Sequence, residues 1–135
     1  MRLMGIDYGD ARVGIALSDA LGITAQGYAT LKNTGDEVLF DEIKNIINEK
    51  CVEKIVLGLP KNMDNSEGFR AQATYEFAEK LKTYTDKEIV FWDERLSTVA
   101  AHSYMNSLDI RGKKRKGLVD TIAAALILEN YMQCN

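Results

Sequence analysis

The sequence predicts an α/β fold, a five-stranded mixed sheet flanked by helices. Three apolar runs joined by short glycine-bearing turns open the chain, over residues 3–6, 13–17 and 24–31. Helically spaced segments then alternate with short continuous apolar runs, the mark of parallel strands covered on both faces. A single proline and no low-complexity stretch leave no long linker, so residues 1–135 are expected to form one domain with a real core. Its 46% hydrophobic and 27% charged residues are ordinary for such a domain.

Each element has its own signal. The first three runs read as an antiparallel meander, with Asp7 closing the first run and Ser18-Asp19 the second. Residues 36–50 place Val38, Ile43, Ile46 and Ile47 on one helical stripe, started by Gly35-Asp36. Residues 54–58 form a buried parallel strand that stops at Leu59-Pro60, because proline cannot donate to the ladder. A polar loop over 61–68 leads into a second helix over 69–83, with Tyr75, Phe77, Ala78 and Leu81. Residues 88–92 supply the fifth strand. A third helix is expected over 96–108, where Leu96, Val99, Ala100 and Met105 are apolar. The last helix, 118–132, is apolar almost all round and is therefore expected to be buried.

Composition narrows the compartment and the partners. No run is long enough to span a bilayer, and the start lacks the basic-then-apolar order of a signal peptide, so a cytoplasmic protein with no membrane partner is expected. Cys51 and Cys134 suit that compartment as free thiols, and no Cys or His spacing supports a metal site built from them. The net charge of −3 argues against a polyanion partner until its distribution is considered. Arg111-Gly112-Lys113-Lys114-Arg115-Lys116 concentrates five of the 17 basic residues, leaving 12 against 20 acids elsewhere, or −8. Local charge decides where a polyanion docks, so this basic tongue is a candidate nucleic-acid contact, with a solvated charge run as the alternative. Five like charges with no apolar anchor predict that it is mobile without substrate.

Three acids sit against apolar surface. Asp is disfavoured inside strands, and a buried carboxylate is costly unless it is paired or binds a metal, so Asp7 points to a metal or phosphate site. An Asx turn before Tyr8-Gly9 is the competing reading. Asp93-Glu94 follows the fifth strand, and ligands of open α/β sheets gather at the carboxyl ends of strands. Helix capping by Asp93, or pairing of Glu94 with Arg95, would also account for it. Asp120 shares a helix face with Ala123, Ala124, Ile127 and Tyr131, whose small residues let the helix approach the sheet. A favourable first-turn acid is its alternative. The three are expected to converge, with Asp7 and Asp120 nearest each other. Together they call for a counter-cation, and oxygen ligands select Mg²⁺ or Mn²⁺. Such ions serve phosphodiester hydrolysis, with the basic tongue holding the substrate backbone.

The chain resembles the YqgF (RuvX) family of RNase H-like proteins, described as Holliday-junction-resolvase-like and as pre-16S rRNA nucleases. The resemblance runs nearly end to end, through Gly5-Ile6-Asp7-Tyr8-Gly9 with Arg12-Val13-Gly14 and Ser18-Asp19. It continues through Gly58-Leu59-Pro60-Lys61-Asn62-Met63-Asp64 with Ser66, Gly68 and Arg70-Ala71, through Asp93-Glu94-Arg95-Leu96-Ser97-Thr98, and through Asp120-Thr121-Ile122-Ala123-Ala124. It implies an RNase H-like fold, with Asp7, Glu94 and Asp120 as the catalytic and metal-holding acids. One departure stands out. Resolvases of the RuvC type look to place their second acid at the end of the strand that here reads Gly58-Leu59-Pro60, where no carboxylate stands. Glu94 must then substitute from the next strand, about two steps of roughly 4.8 Å from Asp7. Asp93 is the fallback.

Other residues are weighed in the same way. Asn62, Ser66 and Arg70 suit phosphate contacts, although Arg70 could equally pair with a nearby acid. Arg12 could bind phosphate or buttress the hairpin turn. Lys113, Lys114, Arg115 and Lys116 complete the candidate nucleic-acid contacts. Tyr8 could stack on a base or merely cover the sheet. Trp92 and Phe91 read as core, and His102 as an ordinary helix residue. The leading expectation is a metal-dependent nuclease of structured nucleic acid, with pre-16S rRNA 5′-end processing first and a junction-resolving DNA endonuclease second. The partners expected are pre-rRNA or branched DNA, with ribosomal particles as further candidates, and the chain as a monomer or homodimer. A non-catalytic RNA-binding assembly factor is a third reading. The Asp-x-Gly hairpin also resembles the phosphate-binding start of actin-like ATPases and sugar kinases, but no second such hairpin appears.

Overall fold

A computed structural model describes residues 1–61, 67–94 and 112–134, with the side chains of 112–119 excepted. Five strands form one mixed sheet in the order β3-β2-β1-β4-β5. Strands β1 (Arg2–Tyr8), β2 (Arg12–Ser18) and β3 (Ala25–Lys32) make the expected antiparallel meander. Strands β4 (Val52–Leu59) and β5 (Glu88–Asp93) extend it in parallel from the other side of β1. The helices are α1 (Glu37–Glu49), α2 (Phe69–Leu81) and α3 (Gly112–Cys134). The helix expected over 96–108 lies outside the described residues.

Period-two alternation divides the central strands between two layers. Met4 and Ile6 of β1 face one side, with Val13 and Ile15 of β2 and Ile55 and Leu57 of β4, and they pack against Leu39, Phe40, Ile43 and Ile47 of α1 and Phe77, Ala78 and Leu81 of α2. Tyr8 belongs to this layer too, its ring stacked on Phe77 at 4.3 Å, so it covers the sheet. Leu3, Ala16 and Val56 face the other side and meet Ala124, Ile127 and Leu128 of α3. Trp92 packs in that second layer, edge-on to Tyr131, and its indole N–H donates to Asn130.

Capping follows the local sequence. Asp36 Oδ1 accepts from the Val38 amide, so α1 starts where Gly35-Asp36 indicates. At the hairpin tip the Gly9 amide donates to the Arg12 carbonyl, and Asn33 Nδ2 donates to the Gly9 carbonyl. Asn33 thus straps the turn that follows Asp7.

Three expectations need correction. Val38 is 55% exposed, because the buried stripe of α1 runs through Leu39, Phe40, Ile43, Ile46 and Ile47 instead. The last helix begins at Gly112 rather than at residue 118, so segment 112–116 has helical backbone. Lys and Arg are good helix formers, and nothing between them and the helix body breaks it. Nor is that helix buried all round: Glu129, Asn130 and Gln133 are exposed, and a stripe of Ala123, Ala124, Ile127 and Leu128 suffices to dock it. Among the described residues no helix is long and apolar enough to cross a membrane.

Candidate active site

Asp7 is the penultimate residue of β1 and lies on the α3 face of the sheet. Its β2 partner is Gly14, and Gly58 comes next on β4 after the Ile6–Leu57 pair. A carboxylate therefore sits between two glycines in one row across the sheet. Those glycines are required by close approach. A side chain on Gly14 would collide with the Asp120 carbonyl and come within 3.0 Å of Asp120 Cβ. On Gly5, one turn further along α3, it would meet the Ala124 carbonyl at 2.7 Å. Helix α3 rests on the sheet at glycine distance, and this brings Asp120 beside the end of β1.

Glu94 arrives from the opposite direction. It follows β5, and its amide donates to the Leu59 carbonyl at 3.2 Å, prolonging the parallel ladder by one residue. β4 lies between β5 and β1, so two strand steps do separate Glu94 from Asp7. The long Glu94 side chain crosses that gap and comes close enough to the Asp7 carboxyl for each to shift the other. Glu94 is 8% exposed, and its Oε2 is buried without a hydrogen-bond partner. Burial first, then the Asp7 charge, pushes the Glu94 carboxyl up to about 9. Burial also raises Asp7, with the Asp120 charge adding to it and the Glu94 carboxyl and Arg70 opposing it. Each of two carboxyls this close disfavours ionisation of the other.

Asp7 and Glu94 thus form a close pair, and Asp120 lies near enough for its charge to raise Asp7 as well. The Asp120 carboxylate is turned to Arg12, whose Nε donates to its Oδ2 at 2.6 Å. Arg12 is therefore a buttress, and what it holds is Asp120 rather than the hairpin turn alone. Arg70, exposed in the first turn of α2, lowers both Asp7 and Glu94 through its charge. Asp93, the fallback acid, is exposed and raises Glu94 as a like charge.

The family described as "RuvX: Holliday junction resolvase" matches residues 1–134. The chain belongs to this family. A Clostridium tetani protein is 48% identical over 132 residues, covering 98% of this chain and 96% of that protein, and one from Halothermothrix orenii is 46% identical over 132 residues, covering 98% and 94%. Each carries the name "Putative pre-16S rRNA nuclease". Among solved structures, Thermus thermophilus RuvC in complex with Holliday junction substrate superposes with a TM-score of 0.60 at 13% identity, over 99% of this chain and 96% of that one. The fowlpox virus resolvase in complex with substrate Holliday junction DNA gives 0.55 at 12% identity, over 99% and 98%. The fold is therefore the RuvC-like, RNase H-like one.

In this RuvX chain, Asn62 and Ser66 fall outside the described residues, as do the side chains of Lys113, Lys114, Arg115 and Lys116, whose backbone opens α3. Sequence reasoning missed Gly14 and Gly58 as parts of the site. The available signal was a glycine inside a strand, which often marks a place where another group approaches closely.

Proposed function

We propose that this RuvX protein is a metal-dependent nuclease that hydrolyses phosphodiester bonds in structured nucleic acid, with 5′-end processing of pre-16S rRNA as its task. The observation that carries this reading is the Asp7–Glu94 pair, a half-buried carboxyl beside a buried one whose Oε2 is left without a partner. An orphaned, buried carboxylate oxygen beside a second acid is a donor set that suits a hard divalent cation. Among the described residues no three such side chains are already gathered into a complete shell, because Asp120 is held by Arg12. Asp7 and Glu94 would hold Mg²⁺ or Mn²⁺, with Asp120 as the third acid. When bound, the ion supplies charge stabilisation at the attacking and leaving oxygens of the phosphodiester.

The protein's own groups do the rest. Glu94, whose carboxyl is pushed up to about 9, would have to give up its proton to act as a ligand. Arg70 sits where its charge reaches both acids and can turn to a phosphate oxygen of the substrate. Arg12 fixes Asp120 against Gly14 so that its carboxylate stays on the α3 face. Lys113, Lys114, Arg115 and Lys116 lie immediately before Asp120 on α3, and they are the proposed contact to the nucleic-acid backbone. Replacing these four by Gln should weaken binding about equally for all sequences. It should also flatten the salt dependence, by about one unit of slope for each phosphate no longer neutralised.

The test is cleavage of a 5′-extended 16S precursor and of a four-way DNA junction, each with Mg²⁺, Mn²⁺ or chelator, using Asp7→Asn as the control. Chelator-sensitive cutting of the precursor that Asp7→Asn abolishes is the expected result. Cutting confined to the junction would move the substrate to branched DNA. Binding without cutting of either would overturn the enzymatic reading in favour of an assembly factor.

A further inference from the structure

Asp7 and Glu94 stand on strands that do not touch, and β4 runs between them. Position 58 is where β4 passes between the two acids. It follows Leu57, the partner of Ile6, and it pairs with Trp92 on β5, two residues before Glu94. A Cβ placed on Gly58 would lie 2.6 Å from Glu94 Oε2 and 3.3 Å from Glu94 Cβ. The Glu94 side chain therefore occupies the volume that any other residue at 58 would fill.

We propose that Gly58 is a positioning residue of this site: its missing side chain is the slot through which Glu94 crosses β4 to reach Asp7. The metal-holding role of the pair rests on the function proposed above, whereas the slot itself is a matter of packing. Gly58 differs in this from Gly5 and Gly14, where an added Cβ would strike the backbone of α3. At Gly58 the atoms met first are ends of flexible side chains, Ile127 Cδ1 at 2.5 Å and Glu94 Oε2. A methyl group there can be accommodated by rotating those ends, so the fold survives and the carboxyl leaves. The position also has a converse. A carboxylate carried by residue 58 itself would stand next to Asp7 on the same face, without crossing a strand.

Gly58→Ala is best made in an Ile127→Val background, which removes Cδ1 and leaves Glu94 as the group that must move. Its crystal structure tests the slot without any metal. Glu94 should be displaced from Asp7, and a carboxyl still beside Asp7 overturns the proposal. Calorimetric titration of the full chain with Mn²⁺ then tests the consequence. Relative to Ile127→Val alone, affinity should fall at least about 10-fold, in the range seen when groups that orient metal ligands are removed, while the thermal midpoint changes little. Unchanged affinity overturns the consequence. In Gly58→Asp/Glu94→Ala the acid is moved to β4, and Mn²⁺ affinity should exceed that of Glu94→Ala at least about 10-fold. Equal affinity of those two variants counts against position 58 as the crossing point. A native chain that takes up no Mn²⁺ would remove the metal reading, and the Gly58→Ala structure would still decide the slot.

Discussion

The two faces of this sheet are built on opposite principles. Toward α1 and α2 the strands present Met4, Ile6, Ile15, Ile55 and Leu57, all fully buried and all large. Each such side chain stabilises the fold by about 1.5–3 kcal/mol through burial alone. Toward α3 the same strands present Gly5, Asp7, Gly14, Ala16 and Gly58, and the helix answers with Ala123 and Ala124. One face is thick and apolar. The other is thin, so backbone meets backbone and three carboxyls are drawn toward one end of the sheet. The difference shows where the molecule gains stability and where it gives some up. Burying Asp7 against Glu94 opposes folding of the metal-free chain, and the α1–α2 face offsets that penalty.

The largest effect should come from the acid at the centre of the thin face. Asp7→Asn keeps the shape but removes one anionic ligand, so metal-dependent cleavage should fall below detection. Stability of the metal-free protein, read by denaturant unfolding, should be equal or higher because like-charge repulsion is relieved. A destabilised Asp7→Asn would place Asp7 in the structural scaffold.

Packing substitutions compare the faces directly. Gly14→Ala must push the backbone of α3 off the sheet, and should destabilise by about 3 kcal/mol as an overpacked site with no flexible neighbour to yield. Ile6→Val on the thick face should lose only about 1 kcal/mol. The reverse order in chemical denaturation would show that α3 is loosely seated.

The next effect is on pH dependence. Glu94 titrates in the fold at about 9 and in the unfolded chain near its ordinary 4.5. The unfolded state therefore gives up a proton between these values while the folded state keeps it. The Glu94 contribution to the stability of the metal-free chain is greatest below about 4.5 and declines as the pH rises toward 9, by on the order of 3 kcal/mol at neutral pH. Raised Asp7 acts in the same direction. Glu94→Gln should flatten the decline, as measured by unfolding across a pH series. A decline of the same steepness in that variant would assign it to other groups.

The smallest effect is expected at Arg12. Its side chain is 40% exposed, so screening limits what its pairing with Asp120 contributes. Arg12→Gln should lose about 0.5 kcal/mol of stability. Its main consequence would be a freer Asp120, visible as a broadened Asp120 signal in carboxyl NMR.

Much of the fold is legible in order along the chain. The meander, the two parallel strands and helices α1 and α2 are readable because their periodicities are local. Asp7 is identifiable because a carboxylate ending an apolar strand conflicts with its surroundings, and Asp120 because alanines follow it at helical spacing. The start of α3 is not legible in the same way, because a run of like charges resembles a loop although helix propensity is favourable throughout it. Val38 falls on the wrong face because a one-residue rotation of the stripe leaves an equally apolar pattern.

What the sequence determined by itself, then, is the order of the described strands and helices and three candidate acids, since period, turn residues and misplaced charge are properties of neighbouring residues. What only the tertiary structure decided is how those acids meet. The order β1-β4-β5 sets Glu94 two strands from Asp7, Gly58 leaves the gap that its side chain crosses, and Arg12 turns Asp120 aside. Each of these depends on groups between 36 and 108 positions apart in the chain being brought together, and no local pattern encodes a distance between segments that only the packed sheet places side by side.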